Sequence, residues 1–340
     1  MFSESNIKDS SFKQKIKEAA IVVASPFQAL CAMEAVKQFC IEKPHFYAYE
    51  SENSLKKTHD FIVSQGFECE DLEDVSGTYN IIRYFKKRNC IKYDYIFSGD
   101  YFSKYCFIVC LLWSKPKAHI VYLDDGNSTL TLLPPLNKKR FKDGSIAQRI
   151  IYQVLLLYSR RVGLKRLFFT IYDVEGKGFP YSSINNKFSN LVGVSYSKKS
   201  GVYVIGTISS KTKMDKNMYC NYLSYIKRYS EEQFPQEDVF YCPHRSDTNC
   251  YNEECEQLGI KIFNSRVSVE VDFVSNHCNP VAVFGFGSTA LLTLKIIFSD
   301  SQIIDIPFNN NCLNDEDLKS YRQIEREYQE KGISVMEINI

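Results

Sequence analysis

The sequence lacks the features that mark several specialised classes of protein. Its longest uninterrupted apolar run is about seven residues, near 107–113, whereas a membrane-spanning helix needs roughly 20. Lys and Arg number 42 and Asp and Glu 40, and the net charge of +2 argues against a nucleic-acid-binding protein. The 15 glycines and 10 prolines are too few for a collagen-like or low-complexity chain. Hydrophobic residues at 44% and charged residues at 24% are typical of a globular protein.

The 12 cysteines include no C-x-x-C pair. The closely spaced pairs Cys106/Cys110 and Cys250/Cys255 lack the histidine partners of a structural zinc site. The first 20 residues carry charges where a signal peptide needs an apolar segment. We therefore expect a cytoplasmic protein whose cysteines are reduced and act as small buried hydrophobic residues.

Short β-branched runs alternate with helical patterns through the first third of the chain and again through 202–306. Because these runs are apolar on both faces, they predict parallel sheets covered by helices. A length of 340 residues suits two domains. We expect an α/β protein with two Rossmann-like, doubly wound domains facing a central cleft. The first covers 1–195, with a basic insertion at about 127–195. The second covers 196–340, and its last helix is a candidate to cross back to the first.

One stretch is strongly basic. Nine Lys and Arg side chains lie between 138 and 166 against a single acid, Asp143, and the apolar segments 150–158 and 167–169 are interleaved with them. A basic amphipathic surface over 138–169 can rest on an anionic inner membrane. The other interpretation is a solvated helix face whose opposite side is core. The sequence leaves both open.

Two adjacent acids, Asp124 and Asp125, follow the predicted strand 117–123. Ligands of doubly wound sheets bind beyond the carboxyl ends of the strands. Repulsion between neighbouring carboxylates raises the pKa of one of them, which suits a general base. The following Gly126 and Asn127 are strong turn formers, so a purely structural turn is the other interpretation. The acids are adjacent, so they do not form the D-x-D metal motif of many nucleotide-sugar enzymes.

Two other strand ends carry candidate side chains. Of the five histidines, only His244 combines a predicted strand end with a neighbouring cation, Arg245, that could hold an anion. A lone histidine at such a position is also often structural. Near the start of the chain, Ser25, Pro26 and Gln28 follow the first strand, and serine followed by proline is a common helix start.

A glycine-rich segment, GFGSTA at 285–290, follows a strand and opens a helix. Gly287 would let the backbone approach a ligand closely, and the free N–H groups of the helix, with the hydroxyls of Ser288 and Thr289, could bind a phosphate. The segment is neither G-x-G-x-x-G nor a Walker loop. The segment predicts a site that binds an anion, but it does not identify which anion.

Taken in order, these segments resemble the motifs of bacterial sialyltransferases of the GT-B type, the group of the lipooligosaccharide sialyltransferases and capsule polysialyltransferases. That group carries S/T-P-x-Q, D/E-D/E-G, HP and S-S/T motifs in this order. The matching segments here are Ser25–Gln28, Asp124–Gly126, His244 and Ser288–Thr289. They span about 270 residues. The chain departs from the pattern at His244, which is followed by Arg245 instead of proline, an arrangement also found among polysialyltransferase-like members.

The resemblance implies a GT-B fold and an inverting transfer of sialic acid from CMP-sialic acid, with no metal ion and no other cofactor. The acceptor would be a hydroxyl of a bacterial surface glycan, such as a galactose-containing lipopolysaccharide, O-antigen or capsule. By the same resemblance, Asp124 would deprotonate this hydroxyl, and His244 would protonate or hydrogen-bond the departing phosphate that Ser288 and Thr289 hold. Asp125 is the third catalytic candidate, beside Asp124 and His244. The further donor-side candidates are Gly206, Thr207, Arg245, Gly287 and Glu270, and the acceptor or cleft candidates are Ser25, Pro26, Gln28, Gly126 and Asn127.

Three alternatives stay open at this point. Glu270 is a candidate ribose ligand, but its position favours the other interpretation, an exposed strand or loop acid. The donor could be another activated sugar, such as a related nonulosonate, Kdo or a hexose, because no residue pattern identifies the sugar. The chain could also be a non-catalytic glycan-assembly protein that kept the fold, in which case Asp124 and His244 would be dispensable.

Overall fold

The computed structural model describes residues 15–49, 52–72, 92–126, 128–133, 146–192, 199–207, 214–244, 251–265, 267–308, 312–313 and 315–338. The chain divides into two compact units, Met1–Asn186 and Lys187–Ile340. The boundary predicted between 195 and 196 lies outside the described residues, as does the basic segment 134–145.

The first unit is built on one parallel sheet. Its strands are β1 (Glu18–Val23), β2 (Lys43–Ala48), β3 (Cys69–Asp71), β4 (Tyr93–Ser98), β5 (Ser114–Leu123), β6 (Lys165–Thr170) and β7 (Ser182–Asn185). They are ordered β3-β2-β1-β4-β5-β6-β7, and every neighbouring pair is parallel. The helices described in this unit are α1 (Pro26–Gln38), α2 (Glu52–Ser64), α3 (Lys104–Trp113) and α4 (Ile146–Arg161).

The core of the first unit explains why its strands are apolar on both faces. Five of the six residues of β1 are buried, because helices cover both sides of the sheet. Trp113, the single tryptophan of the chain, is 6% exposed and belongs to the same buried cluster as Tyr122 and Phe168. This cluster fixes the end of β5, from which Asp124 and Asp125 follow.

The second unit repeats the architecture. Its strands are β8 (Val202–Ile205), β9 (Val239–Cys242), β10 (Lys261–Ile262), β11 (Ala282–Gly285), β12 (Gln302–Asp305) and β13 (Ser334–Val335). They form a parallel sheet ordered β10-β9-β8-β11-β12-β13. The helices described here are α5 (Lys216–Gln233), α6 (Asn252–Gln257), α7 (Val269–Ser275), α8 (Thr289–Ile297) and α9 (Asp315–Glu330).

Both sheets have the Rossmann strand order: the next two strands of the chain are added on one side of the first strand, and the later strands are added on its other side. The order reverses between β1 and β4 in the first unit and between β8 and β11 in the second. Loops diverge at such a switch point, which leaves a crevice at the carboxyl ends of the two strands. The prediction of two doubly wound Rossmann-like domains is therefore confirmed.

The structure adds elements that the sequence patterns did not resolve. The stretch expected to be a basic insertion contributes α4, β6 and β7, which extend the first sheet beyond β5. The last helix, α9, makes hydrogen bonds within the second unit, from Tyr321 to Asp305 and from Tyr328 to Ser288. None of the helices in the described ranges combines the length and apolar character needed to span a bilayer.

Candidate active site

Gln28 connects the end of β1 to the end of β5. Its side chain is 2% exposed on the first turn of α1. Its Oε1 accepts a hydrogen bond from the backbone N–H of Ala24 at 2.7 Å, so its Nε2 faces the other way and donates to Oδ1 of Asp125 at 2.8 Å. The hydroxyl of Ser25 caps α1 by accepting from the N–H of Gln28 at 3.2 Å. Gln28 thus orients one carboxylate oxygen of Asp125.

Gly99 makes room for this glutamine. It follows β4 at the switch point, and a Cβ built on it would lie 2.2 Å from Oε1 of Gln28. Its N–H donates to the carbonyl of Val22 in β1 at 2.8 Å. Gly99 is not among the residues predicted from the sequence, although a glycine directly after a strand at the switch point is a signal for it.

Asp124 is fully buried and has a different role from its neighbour. Its Oδ1 accepts hydrogen bonds from the hydroxyls of Thr129 at 3.1 Å and Thr170 at 2.6 Å, and its Oδ2 accepts from the N–H of Ile171 at 2.7 Å. Burial raises the pKa of Asp124 to about 7, although these three hydrogen bonds act to lower it. Asp124 therefore joins β5 to the end of β6.

Asp125 and Gly126 begin a turn. Asp125 is half-buried, and its carbonyl accepts from the N–H of Ser128 at 3.3 Å. Gly126 has a φ of 60°, a left-handed conformation that favours glycine. The turn interpretation is thus correct for the backbone. The side chain of Asp125 lies outside this turn and accepts the hydrogen bond from Gln28. Asn127 lies outside the described residues.

In the second unit, Gly206 and His244 lie together at the ends of β8 and β9. The N–H of Gly206 donates to the carbonyl of Cys242 at 2.9 Å. A Cβ on Gly206 would lie 2.7 Å from Oη of Tyr241 and 3.1 Å from the backbone nitrogen of His244. The side chains of Thr207 and His244 are half-buried. Arg245, the proposed anion ligand, lies outside the described residues.

The loop between β11 and α8 lies beside them, because Gly285 pairs with Ile205 of β8. Gly287 has a φ of 59°, and a Cβ there would lie 2.6 Å from the ring of Tyr321. Ser288 is the N-cap of α8, and Thr289 is the first residue of the helix. The predicted strand–glycine–helix arrangement is present, with the two hydroxyls at the start of a nine-residue helix.

Asp305, which is not among the residues predicted from the sequence, fixes this loop. Its Oδ1 accepts from the N–H of Gly287 at 2.8 Å, and its Oδ2 accepts from Oη of Tyr321 at 2.7 Å. Oη of Tyr328, about two turns further along α9, donates to the carbonyl of Ser288 at 2.7 Å. Burial raises the pKa of Asp305 to about 6. An acid directly after the buried pair Ile303 and Ile304 of a predicted strand was the available signal.

Glu270 lies on the first turn of α7 and is buried, at 6% exposed. The interpretation of Glu270 as an exposed strand or loop acid is therefore wrong. Short-range sequence patterns missed α7 because the helix has only seven residues.

Among the described residues, one group could hold a metal ion: His59 of α2 with Cys69 and Asp71 of β3. This group lies at the edge of the first sheet. Three strands separate β3 from β5, so at about 4.8 Å per strand the group is well over 10 Å from Asp125. It is therefore too distant to act on a proton at Asp125.

Comparison of the sequence finds no matching family model and no matching curated protein. Comparison of structures finds an α/β-galactoside α-2,3-sialyltransferase from the luminous marine bacterium Photobacterium phosphoreum, 13% identical, with a TM-score of 0.53 over 95% of this chain and 99% of that one. The fold is GT-B. MurG from Acinetobacter baumannii is 9% identical, with a TM-score of 0.45 over 94% of this chain and 86% of that one. A UDP-N-acetylglucosamine 2-epimerase is 10% identical, with a TM-score of 0.48 over 93% and 88%. At such low identity, the GT-B likeness describes the fold and leaves the reaction open.

Proposed function

We propose that this GT-B protein is a glycosyltransferase that moves sialic acid from CMP-sialic acid to a hydroxyl of a bacterial surface glycan, with inversion at the anomeric carbon and without a metal ion. The acceptor class is a galactose-containing lipopolysaccharide, O-antigen or capsule.

One observation carries this proposal. Gln28 and Asp125 are 97 residues apart in sequence, yet Nε2 of Gln28 donates a hydrogen bond to Oδ1 of Asp125 at 2.8 Å. They belong to the two N-terminal motifs through which the chain resembles bacterial sialyltransferases. A carboxylate oriented by a buried amide at the carboxyl end of a doubly wound sheet is well suited to take a proton from a bound hydroxyl.

The burial of the two acids favours Asp125 as the base. A general base must reach the hydroxyl of its substrate. Asp124 has no exposed surface, and both of its oxygens already accept hydrogen bonds from Thr129, Thr170 and Ile171. Asp125 is half-buried at the same edge. We therefore assign proton abstraction to Asp125, and we assign to Asp124, the base implied by the family resemblance, the positioning of the loop that carries it.

The second unit supplies the groups for the donor. The helix dipole at the start of α8 favours a phosphate, while the N–H of Ala290 donates to the hydroxyl of Ser288 at 3.4 Å and the N–H of Leu291 donates to the carbonyl of Ser288 at 3.0 Å. The hydroxyls of Ser288 and Thr289 lie at this helix start. Gly206 leaves space beside His244, where a side chain would meet the backbone. We propose that Ser288 and Thr289 hold the phosphate of CMP, that Gly287, whose N–H donates to Asp305, shapes the loop that carries them, and that His244 donates a proton or hydrogen bond to the leaving oxygen.

The reaction then proceeds in one displacement. The acceptor oxygen attacks the anomeric carbon of sialic acid while Asp125 takes the hydroxyl proton. The bond from that carbon to the phosphate oxygen breaks on the opposite face, its electron pair goes to CMP, and His244 stabilises the new charge. The transition state resembles an oxocarbenium ion, so anion stabilisation and orientation supply most of the rate increase.

The proposal is tested by incubating the whole chain with CMP-sialic acid and a galactose-terminated acceptor, and by measuring CMP release and the glycan product. CMP-Kdo and a UDP-hexose are the parallel donors. Product from CMP-sialic acid in excess chelator is the expected result. Product from another donor alone would contradict the sialic acid assignment, and loss of turnover in chelator would contradict the metal-free one.

A pair of isosteric variants tests the assignment of the base. We expect Asp125→Asn to lower kcat by at least about a hundredfold, because it removes the proton acceptor. We expect Asp124→Asn to retain activity within about tenfold, since an amide can still bond to the two threonine hydroxyls and Ile171. The reverse ranking, in two variants of equal stability, would return the role of base to Asp124.

His244→Ala should also lower kcat by about a hundredfold.

A further inference from the structure

Helix α4 exposes an unusual row of apolar side chains. Ile150, Val154, Leu157 and Tyr158 are 59%, 58%, 62% and 54% exposed. Their spacing of four, seven and eight residues from Ile150 places them on one face of the helix, within an arc of about 100°. We call these four residues the α4 stripe. The opposite side of the helix carries buried Ser159, which accepts a hydrogen bond from Arg166 at 2.8 Å.

This exposure is concentrated in one place. Among the described residues, seven large hydrophobic side chains are exposed, and the α4 stripe contains four of them. Single exposed apolar side chains are ordinary, but contiguous ones mark an interaction surface. The stripe is therefore a candidate contact for another molecule.

Positive charge accompanies the stripe. Exposed Arg160 and Arg161 close α4, and Arg161 lies four residues after Leu157, on the line of the stripe. Exposed Lys165 follows at the start of β6. From 138 to 166 the sequence has nine basic residues and one acid. A partner for this surface must therefore accept apolar side chains and offer negative charge.

We propose that the α4 stripe, with Arg160 and Arg161, docks on the surface of an anionic lipid bilayer. In this arrangement the helix lies in the plane of the interface, its apolar side chains enter the boundary between headgroups and acyl chains, and its arginines contact lipid phosphates. A second copy of the chain is a poorer occupant, since a two-fold contact would bring the like charges of two basic segments together.

The position of α4 suits an acceptor held in a membrane. In a β–α–β unit the helix begins at the edge of the sheet where the preceding strand ends. Helix α4 lies between β5 and β6 in the chain, so it begins at the edge that carries Asp125. A lipid-linked glycan could then meet that edge from the bilayer. This consequence rests on the proposed function, whereas the docking itself does not.

Vesicle flotation tests the docking with the whole chain. We expect vesicles that contain phosphatidylglycerol to bind at least about ten times more protein than vesicles of phosphatidylcholine alone. Val154→Gln with Leu157→Gln should reduce binding at least about tenfold, and so should Arg160→Gln with Arg161→Gln. The matched control is Val63→Gln, which changes an exposed valine on α2, 48% exposed, and should bind as the unchanged chain does.

A second measurement does not depend on weakened binding. Leu157→Trp places a reporter in the stripe, and its fluorescence should be quenched by brominated lipid in anionic vesicles. Val63→Trp should not respond, and native Trp113 is buried. Equal quenching of both, or of neither, overturns the proposal.

The other occupants give distinct results, each of which overturns it. If a second copy covers the stripe, light scattering should show a dimer of the unchanged chain and a monomer of Val154→Gln with Leu157→Gln. Neither the unchanged chain nor this variant should then bind vesicles. A segment of this chain covering the stripe would appear as a lower unfolding midpoint of that variant, again without vesicle binding. An acidic protein surface would leave the unchanged chain unbound to anionic vesicles.

Discussion

Replacing Asp124 by asparagine should remove a specific dependence of stability on pH. Burial raises the pKa of this carboxyl from an ordinary 3.8 to about 7. The folded state therefore binds this proton more tightly than the unfolded state does. The resulting stabilisation is fully present below about pH 3.8 and is lost as the pH rises through about 7.

The size of the effect follows from the shift. A difference of about 3 pKa units, at about 1.4 kcal/mol per unit, makes the free energy of unfolding fall by about 4 kcal/mol between pH 4 and pH 8. The asparagine side chain of Asp124→Asn cannot ionise, so the variant lacks this slope. It should still fit, because its amide nitrogen can donate to the hydroxyls of Thr129 and Thr170 while its oxygen accepts from Ile171. The stability of the variant relative to the unchanged chain should thus rise with pH.

Urea unfolding followed by Trp113 fluorescence measures this difference. Trp113 is the only tryptophan and lies in the core of the first unit, so its signal reports the unit that contains Asp124. Titrations from about pH 4 to about pH 8.5 cover the predicted slope. His119, whose pKa is lowered chiefly by burial, titrates in the same unit, but it is present in both proteins and cancels in the difference.

Two outcomes would refute the reasoning. A constant difference between the two proteins would mean that Asp124 has the same pKa in the folded and unfolded states. A difference that falls as the pH rises would mean that the hydrogen bonds outweigh burial and hold the pKa below its ordinary value.

Two further variants test the supports of the site. Gly99→Ala would place a Cβ 2.2 Å from Oε1 of Gln28 and displace the amide from Asp125. We expect kcat to fall at least about tenfold and the unfolding free energy to fall by about 1–3 kcal/mol. An unchanged kcat would show that Gln28 does not orient the base. Tyr321→Phe removes the hydroxyl that donates to Asp305, a hydrogen bond that contributes about 1 kcal/mol. We expect KM for the donor to rise several-fold more than kcat falls. An unchanged KM would show that Asp305 has no role in donor binding.

Local patterns in the sequence were sufficient to predict most of the elements near the site. Buried strands such as β1 and β11 are continuous apolar runs, and helix starts such as Ser25-Pro26 and Ser288 carry their own capping residues. These signals act over a few residues, so they can be interpreted without the fold. The short helix α7 and the strands β6 and β7 were missed because their signals are too short or are interrupted by basic and polar residues.

The sequence by itself determined the strand–helix alternation, the two doubly wound domains and the order of the motifs from Ser25 to Thr289. Only the tertiary structure distinguished the two adjacent acids. Successive side chains of extended backbone point to opposite sides, so Asp124 enters the interior beside Thr170 whereas Asp125 meets Gln28. Thr170, which bonds to Asp124, and Gln28, which bonds to Asp125, are 46 and 97 positions away from these acids in the sequence. Burial and hydrogen bonding across such separations depend on strand order, which no local pattern specifies.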